Sequence, residues 1–394
     1  MFETLTPPQP DKIIQLMQMF REDSRANKVD LGVGVYKTSE GKTPVMKAVK
    51  AAEELVWKTQ DSKGYVALAG DAGYLAAMKG LMFADTVPHA RIAAAGTPGG
   101  TGAVRQVLEM VKRLTPEATV WISAPTWPNH PAIISYLGLG LREYRYYDAG
   151  TGGLDRAGMM QDLSGVKPGD LILLHGCCHN PTGVDLSLED WRALGDLCLG
   201  SGAVPFVDMA YLGFGQGIDE DAVGMRLLAG MVPEMLVAGS CSKNFGLYRD
   251  RVGIAMALCG DEKAAIATGG MLAWLNRQNF AFPPDHGARA VQTILGDPGL
   301  TDLWRGELRE MREGMQANRE ALAAELQRIT GSDRFAFLAS HKGMFSLLGA
   351  SLEQVETLRA QHGIYLVFDS RMNVAGLTPE TIPLVAKAVA EVMG

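Results

Sequence analysis

The chain has 394 residues, of which 47% are hydrophobic and 21% charged, and a net charge of −7. This length and apolar content allow a large core, which we expect to be divided between two domains. The acidic balance argues against a nucleic-acid partner, and no apolar run reaches the roughly 18 residues of a membrane span. The N-terminus lacks a signal-peptide pattern, and five cysteines without a Cys-x-x-Cys pair are typical of reduced thiols. We therefore expect a cytoplasmic protein with neither a nucleic-acid nor a membrane partner.

Short apolar segments alternate with helical patterns between residues 97 and 258. Segments of strand length lie at residues 119–123, 170–174, 203–207, 235–240 and 252–258. Between them run amphipathic segments such as residues 103–114, which place Val104, Val107, Leu108 and Val111 on one helical face. This alternation predicts an α/β fold in which a mostly parallel sheet carries helices on both faces.

The pattern changes after residue 301. One long helical segment is predicted from residue 301 to about residue 329, rich in Glu, Arg, Ala and Leu. The following predicted elements are strands at 334–338 and 344–348, a helix at 352–362, a strand at 364–368 and a helix at 379–393. These elements predict a smaller α+β domain, and we expect the domain boundary within the long helix.

Lys243 lies in the segment Gly-Ser-Cys-Ser-Lys-Asn-Phe-Gly-Leu-Tyr-Arg-Asp-Arg, residues 239–251, directly after an apolar segment. It would stand at the carboxyl end of a strand, where α/β proteins place their chemistry. Its amine could form a Schiff base with an aldehyde cofactor. Ser240, Ser242 and Arg251 offer the hydroxyls and guanidinium that a phosphate needs. The alternative is a solvated surface lysine.

A glycine-rich segment, Gly-Thr-Pro-Gly-Gly-Thr-Gly-Ala at residues 96–103, precedes the helix predicted from Ala103. Glycines let the backbone approach an anion, and a helix N-terminus offers unpaired N–H groups and a favourable dipole. Gly99, Gly100 and Thr101 are therefore candidates for phosphate binding. A glycine-rich turn without a ligand explains this segment equally well.

Three further residues could contact an aromatic cofactor. Asp208 ends an apolar strand, where a protonated pyridine nitrogen would compensate the buried carboxylate, although a helix N-cap is an alternative. Asn180 lies in His-Gly-Cys-Cys-His-Asn-Pro-Thr-Gly, residues 175–183, and could present its amide to a ring oxygen or simply belong to a loop. The adjacent cysteines there do not have the spacing of zinc ligands. Trp127, between two prolines, could stack on the cofactor or pack beneath a loop.

Two arginines are candidates for binding a substrate carboxylate. Arg371 lies between the predicted strand at 364–368 and the last helix, and arginine can hold a carboxylate through two parallel hydrogen bonds. Arg277, in the segment 275–280, is equally ambiguous by itself. A surface arginine is the alternative at both positions.

Taken together and in this order, the segments resemble the aspartate and aromatic amino-acid aminotransferases, which are fold-type I enzymes that use pyridoxal 5'-phosphate (PLP). The resemblance runs from Leu-Gly-Val-Gly-Val-Tyr-Lys at residues 31–37 to Arg371 and includes Gly-Met-Phe-Ser at residues 343–346. It implies a large domain with a mostly parallel seven-stranded sheet and a smaller α+β domain. The implied bounds are an N-terminal arm at 1–12, a small domain at 13–35 and 310–394, and a large PLP-binding domain at 36–309.

The resemblance also implies roles around the cofactor. Lys243 would hold PLP and act as the base, with Asp208 and Tyr211 as further catalytic residues. Asp208 would pair with the ring nitrogen and be supported by His130, while Asn180 and Tyr211 would bind the phenolic oxygen and Trp127 would stack on the ring. The phosphate would be bound by Gly100, Thr101, Ser240, Ser242 and Arg251, and by Tyr65 of a second subunit.

The substrate-binding roles follow in the same way. Arg371 would bind the α-carboxylate, Arg277 of the neighbouring subunit would bind a side-chain carboxylate, and Gly34 would lie over the substrate. Trp127 and Asn180 would contact the substrate as well. The implied enzyme is a homodimer with shared active sites that transfers amino groups between amino acids and 2-oxo acids by ping-pong kinetics.

Departures from the family pattern bear on the substrate. Aspartate aminotransferases usually read Asn-Tyr-Ser-Asn-Pro-Pro where residues 279–284 read Asn-Phe-Ala-Phe-Pro-Pro, and Phe368-Asp369-Ser370 stands where many relatives carry small residues. Both features resemble bacterial aromatic aminotransferases with dual specificity, since phenylalanines favour an apolar ring. Residues resembling the aspartate enzymes are Val35, Lys37, Thr43 and Thr101. We therefore expect tyrosine, phenylalanine, tryptophan, aspartate and glutamate as donors, and 2-oxoglutarate or oxaloacetate as acceptor. The alternatives are a strict aspartate aminotransferase and a PLP-dependent decarboxylase or lyase.

Overall fold

The computed structural model describes residues 2–6, 12–38 and 41–394. The chain divides into two compact units, residues 1–43 with 314–394 and residues 44–313. The predicted arm at residues 1–12 falls partly outside the described residues, because residues 1 and 7–11 are not among them. The predicted bounds of the arm and the two domains stay a prediction.

The strands and helices are numbered in chain order. The strands are β1 (Val29–Asp30), β2 (Ile92–Pro98), β3 (Thr119–Ala124), β4 (Gly140–Arg145), β5 (Tyr147–Asp148), β6 (Gly153–Leu154), β7 (Leu171–His175), β8 (Val204–Met209), β9 (Met235–Ser240), β10 (Val252–Leu258), β11 (Phe345–Leu347), β12 (Ile364–Tyr365) and β13 (Arg371–Asn373). The helices are α1 (Lys12–Glu22), α2 (Lys47–Thr59), α3 (Ala72–Phe83), α4 (Gly99–Leu114), α5 (Asn129–Tyr136), α6 (Arg156–Leu163), α7 (Leu188–Ser201), α8 (Ile218–Met231), α9 (Glu262–Asn279), α10 (His286–Gly296), α11 (Pro298–Thr330), α12 (Phe337–Ser340), α13 (Leu352–His362) and α14 (Ile382–Met393).

The unit of residues 44–313 is built on a seven-stranded sheet in the order β2-β10-β9-β8-β7-β3-β4. Strand β10 runs antiparallel to both of its neighbours, and the other pairs are parallel. Every residue of β7, β9 and β10 is buried, as expected for strands covered on both faces of a sheet. The predicted α/β fold with a mostly parallel sheet is confirmed.

The sheet brings several of the candidate residues to one edge. In parallel strands all carboxyl ends point the same way, so the loops after β3, β7, β8 and β9 begin at the same edge. The apolar face predicted for the helix at 103–114 is buried in the core of this unit. That helix begins four residues earlier than predicted, at Gly99, because β2 extends to Pro98 and leads directly into it.

The described residues of the unit 1–43 and 314–394 form two small sheets. In one, β1 pairs in parallel with β12, and in the other β11 pairs antiparallel with β13. The guanidinium of Arg319, on α11, is buried and donates to the Ser346 hydroxyl and to the carbonyl oxygens of Gly343 and Phe345. These bonds satisfy a buried charge and fix the segment that leads into β11.

The strand predicted at 334–338 is wrong. Residues Asp333–Phe335 form a 3₁₀ turn and Phe337–Ser340 form α12. Ser332 caps the turn by accepting the backbone N–H of Arg334, and the buried Phe335 and Leu338 are three residues apart, which is a helical spacing. Within the described part of the chain, none of the helices combines the length and the apolar character needed to traverse a bilayer.

Candidate active site

Lys243 lies three residues beyond β9, in a turn in which the Gly246 N–H donates to the Lys243 carbonyl at 3.0 Å. Its side chain is half-buried, and Nζ lies 4.6 Å from the centre of the Tyr211 ring. Tyr211 is buried in the loop after β8. The cation–π contact holds the amine over a ring from the loop that follows the neighbouring strand, β8. Lys243 is therefore not a freely solvated surface lysine.

Asp208 lies near the carboxyl end of β8, where its side chain is buried. The Nε2 atom of His130 lies 2.8 Å from Asp208 Oδ2. Burial by itself would raise the pKa of the Asp208 carboxyl, but the hydrogen bond from His130 and the nearby charge of Lys243 bring this pKa below its usual value. Asp208 is thus a buried anion, and a helix N-cap role does not account for it.

A chain of hydrogen bonds behind Asp208 determines which ring nitrogens carry protons. The backbone N–H of Asn180 donates to His175 Nδ1 at 3.2 Å, so neutral His175 carries its proton on Nε2. That proton faces Thr126 Oγ1 at 3.1 Å, and the Thr126 hydroxyl lies 3.0 Å from His130 Nδ1. The hydroxyl therefore donates to Nδ1, and His130 donates from Nε2 to Asp208.

Burial keeps His175 neutral, as this series of hydrogen bonds requires. It lowers the pKa of His175 to about 3, with a further contribution from His130. The ring of His179 stacks on His175 at 4.1 Å and is held by Ser123 and Thr182 at its two nitrogens, each at 2.9 Å. Burial likewise places the pKa of His179 well below its ordinary value. The surroundings of Asp208 are therefore polar, and His175 and His179 add no positive charge to them.

Sequence reasoning missed the roles of Thr126, His175 and His179. The zinc interpretation of residues 175–183 fails on the spacing of the cysteines, and the sequence pattern gave no other role to the two histidines or to Thr126. The available signal was the position of all three residues, since each follows or ends a strand whose carboxyl end lies at this edge of the sheet. Their pairing depends on side-chain distances between β3 and β7, which no local pattern encodes.

Cys177, Cys178 and Asp221 place potential metal-ligating atoms within 4.8 Å of one another. The Asp221 carboxylate already accepts backbone N–H groups of Gly213, Gly215 and Gln216 at 2.7 to 2.9 Å. A hydrogen bond with Cys178 and burial raise the pKa of the Cys177 thiol well above its ordinary value, which opposes the thiolate that a metal needs. Asp221 thus serves to hold the loop after Tyr211.

The N-terminus of α4 faces Arg251 and Ser240. A Cβ atom added at Gly99 would lie 2.3 Å from Arg251 Nη2, and one added at Gly100 would lie 2.9 Å from the Cβ of Ser240. A Cβ at Gly253 would lie 2.4 Å from the backbone of Gly99. These close approaches explain the glycines, and they bring the N–H groups of the first turn of α4 together with a guanidinium and a hydroxyl. Such a cradle fits a phosphate.

The other candidates in this unit border the same groups. Asn180 is buried, and its backbone N–H belongs to the series of hydrogen bonds that ends at Asp208. Trp127 is partly buried and lies edge-on to His130, with ring centres 5.1 Å apart. Ser242 is buried, and its N–H donates to Ser240 Oγ at 3.3 Å. Thr101 is exposed in the first turn of α4.

Arg371 belongs to the other unit and lies in β13, a strand that was not predicted. It is buried, with its guanidinium carbon 4.3 Å from the centre of the Phe345 ring and Nη2 3.3 Å from the Gly32 carbonyl. A Cβ at Gly34 would lie 3.0 Å from the same Phe345 ring. The structure thus brings Arg371 and Gly34 together on Phe345, and the surface alternative for Arg371 is wrong.

The position of Arg371 also gives a role to Asp369. Asp369 Oδ1 accepts the backbone N–H of Arg371 at 3.1 Å, across Ser370 with φ of 66°. The Ser370 N–H donates to the Val367 carbonyl at 2.9 Å, which closes a tight turn before β13. Because of this turn, the strand ends at Tyr365 and does not continue over the whole predicted range of 364–368. The turn also determines where the strand that carries Arg371 begins.

Tyr65 and Arg277 form a cluster with Phe282. The Tyr65 side chain is 87% exposed and stacks on Phe282, with ring centres 4.5 Å apart and an angle of 15° between the rings. The guanidinium of Arg277 lies 5.9 Å from the centre of the same ring. Arg277 is exposed at the end of α9. An aromatic stack and a cation are thus presented together at the surface of this chain.

A half-buried lysine, a buried acid held by a histidine, and a glycine-lined anion cradle lie at one edge of a parallel sheet, and this combination suits a phosphate-bearing aldehyde cofactor. Residues 26–389 match the sequence profile described as aminotransferase class I and II. The chain therefore belongs to the class I and II aminotransferase family, and the resemblance noted in the sequence is confirmed.

Individual relatives match along their whole length. The chain is 49% identical over 392 residues to the aromatic-amino-acid aminotransferase of Paracoccus denitrificans, with 100% of each chain covered. It is 39% identical over 396 residues to the aspartate aminotransferase of Salmonella typhi, again with 100% of each chain covered. The structure of the aromatic-amino-acid aminotransferase of Burkholderia pseudomallei, covalently bound to pyridoxal phosphate, has a TM-score of 0.97 at 37% identity and full coverage of both chains.

Proposed function

We propose that this chain is a PLP-dependent aminotransferase that transfers the amino group of aromatic amino acids, aspartate or glutamate to 2-oxoglutarate or oxaloacetate. The observation that carries the proposal is the position of Lys243, whose amine lies over Tyr211 and contributes to the charge environment of the buried Asp208. The relatives that support it include both aromatic and aspartate aminotransferases, matched over the full chain.

When bound, PLP supplies an aldehyde that accepts the amino group and a pyridine ring that takes up the electron pair released at the substrate Cα. Lys243 would tether the cofactor through Nζ and, once displaced by the substrate amine, would carry the proton from the substrate Cα to the carbon of the cofactor's aldehyde group. Asp208, kept anionic by His130, would hold the proton on the ring nitrogen. Asn180 and Tyr211 would bind the phenolic oxygen, and Trp127 would cover the ring.

The phosphate is assigned to the cradle at the start of α4. Gly100 and Thr101 provide N–H groups in the first turn, Ser240 and Ser242 provide hydroxyls, and Arg251 provides the positive charge. The observation that supports this assignment is the lack of space for any Cβ at Gly99, Gly100 or Gly253. The glycines leave the N–H groups of α4 accessible to an anion.

Arg371 is assigned to the α-carboxylate of the substrate, with Gly34 beside it. Phe345 supports both residues, since its ring contacts the Arg371 guanidinium and limits the space at Gly34. The planar guanidinium of Arg371 carries its N–H groups in a fork that suits a bidentate bond to a carboxylate.

We also propose a homodimer in which Tyr65 and Arg277 of one subunit complete the site of the other. The support is the surface cluster that these residues form with Phe282. Its cation suits the side-chain carboxylate of aspartate, and its aromatic ring suits an apolar substrate ring. A cytoplasmic location is proposed as well, because all five cysteines are buried thiols.

Steady-state kinetics with aspartate, tyrosine and phenylalanine against 2-oxoglutarate test this function. We expect all three to be donors, with parallel double-reciprocal plots and formation of the matching 2-oxo acid. Turnover of aspartate alone would indicate a strict aspartate aminotransferase, and release of carbon dioxide would indicate a decarboxylase.

The variant Arg277→Ala tests the side-chain carboxylate assignment. In the proposed dimer, where the second subunit covers Arg277, this variant leaves a buried carboxylate unpaired, which costs roughly 3–5 kcal/mol, or several hundredfold in kcat/KM, for aspartate. Phenylalanine should be affected far less, because its ring needs no cation. Equal losses for both substrates would show that Arg277 is misassigned.

A further inference from the structure

Two amide side chains, Gln106 and Asn276, form a buried pair in the large unit. Gln106 lies on α4 and Asn276 on the last turn of α9, 170 positions away, and each is 0% exposed. Gln106 Nε2 donates to Asn276 Oδ1 at 2.7 Å and to the Leu272 carbonyl at 2.8 Å. The pair therefore links the helix of the phosphate cradle to the helix that carries Arg277.

Asn276 extends the link to two further segments. Its Nδ2 donates to the carbonyl oxygens of Leu68 at 2.8 Å and of Gly96 at 3.1 Å. Gly96 belongs to β2, which is an edge strand, and its N–H donates to the Ala69 carbonyl at 2.7 Å. The outward-facing backbone groups of an edge strand need partners when they are buried. The Asn276 amide is the partner of one such group, the Gly96 carbonyl, and it also holds the segment that follows Tyr65.

The arrangement of the two amides is determined by their surroundings. The two side-chain NH₂ groups of Gln106 and Asn276 carry four hydrogens, and four oxygen atoms face them. Turning the Asn276 amide over would place its oxygen against two carbonyl oxygens. Turning the Gln106 amide over would place its oxygen against the Leu272 carbonyl and Asn276 Oδ1. One orientation of each amide is thus strongly favoured, and the last turn of α9 is fixed in one position.

This last turn carries Arg277, whose own side chain is exposed and rests near Phe282. An exposed arginine has many rotamers, so the place of its guanidinium depends on where the backbone of residue 277 is held. The neighbouring residue, Asn276, holds that backbone against β2 and against the segment 65–68. A buried polar pair that served packing alone could be replaced by two apolar side chains without an effect on substrate choice.

We propose that Asn276, oriented by Gln106, is a positioning residue that places Arg277 for dicarboxylic substrates and so sets the preference for aspartate over aromatic amino acids. The proposal rests on the function proposed above for Arg277. It predicts that loss of the amide pair weakens binding of a side-chain carboxylate and leaves binding of an apolar side chain unchanged.

The main test compares Asn276→Leu with the wild-type holoenzyme by calorimetric titration. Succinate serves as an unreactive dicarboxylate and 3-phenylpropionate as an unreactive aromatic carboxylate. We expect the Kd of succinate to rise at least about tenfold, because a misplacement of about 1 Å is enough for a change of this size or more. The Kd of 3-phenylpropionate should stay within about twofold, and the KM of aspartate should rise more than that of phenylalanine.

Two further variants separate positioning from general damage. Asp170→Asn changes another buried polar contact of the same unit, in which the Asp170 carboxylate accepts the Trp121 Nε1–H and the Thr119 N–H. It should lower the thermal midpoint without changing the ratio of the two Kd values. Gln106→Leu leaves the Asn276 bonds to Leu68 and Gly96 in place but removes the group that orients its amide. It should shift the ratio in the same direction by a smaller factor.

The outcomes separate the two proposals. An unchanged ratio in Asn276→Leu, or an equal loss for both ligands, would overturn the positioning role. If Asn276→Leu does not yield folded protein, Gln106→Leu decides, and an unchanged ratio there has the same meaning. If Arg277→Ala itself leaves succinate binding unchanged, the function proposed for Arg277 fails instead.

Discussion

Replacing Gly253 by alanine tests the phosphate cradle by a steric route. The added Cβ would lie 2.4 Å from the backbone carbon and oxygen of Gly99, whereas ordinary contacts begin at 3.4 Å. Strand β10 or the start of α4 must therefore move by about 1 Å, which costs roughly 1–3 kcal/mol of stability as overpacking. Moving the first turn of α4 misaligns the N–H groups that face the phosphate. Loss of one charge-assisted hydrogen bond, about 1.5–3 kcal/mol, should raise the Kd of PLP about ten- to hundredfold.

The Kd of PLP is measured by titrating the cofactor-free protein and following absorbance, and thermal unfolding shows whether the variant is folded. Gly260→Ala is the matched control, because no heavy atom lies within 4 Å of its added Cβ. Gly100→Ala should give an intermediate loss, since its Cβ meets only the Ser240 side chain, and alanine favours a helix more than glycine does. If Gly253→Ala binds PLP as tightly as Gly260→Ala, the phosphate does not bind at this cradle.

Three further outcomes are expected. Lys243→Ala should abolish transamination and lack the absorbance of lysine-bound PLP, and normal turnover would refute the proposed function. Burial lowers the pKa of His175 to about 3. Between pH 6.5 and 3, His175 therefore binds a proton in the unfolded protein but not in the folded protein, and the free energy of unfolding falls with falling pH by about 1.4 kcal/mol per pH unit. The free energy of unfolding of His175→Gln, measured with urea, should therefore decline less steeply below pH 6.5 than that of the wild type. His286→Gln, a surface control, should follow the wild type. Parallel curves for both variants would contradict the argument. Asp369→Ala should raise the KM of aspartate and phenylalanine alike by loosening the turn before Arg371, while Asp369→Asn should retain the bond, and a loss confined to one substrate would argue against this role.

The sequence was most informative where residue type and position in a strand agree. Lys243 and Asp208 stand at or beyond the ends of short apolar segments, which are typical of buried strands, so their place at the carboxyl edge could be inferred. The edge strands β2 and β4 were missed because one is rich in alanine and the other is mostly polar and exposed. A strand with an exposed face, such as β4, needs no continuous apolar run, whereas the buried β2 consists mostly of small residues that do not favour a strand.

The amino-acid sequence by itself determined the α/β class, the positions of the central strands along the chain and the identity of the groups that follow them, because hydrophobic patterning and residue chemistry act locally along the chain. Only the tertiary structure decided how those groups are oriented. The proton order from His175 to Asp208 depends on Thr126, and the place of Arg277 depends on the meeting of Gln106 and Asn276 across 170 positions. Hydrogen bonds of this kind form only when packing has brought distant segments to within about 3 Å, and no periodicity in the sequence records which polar groups will meet.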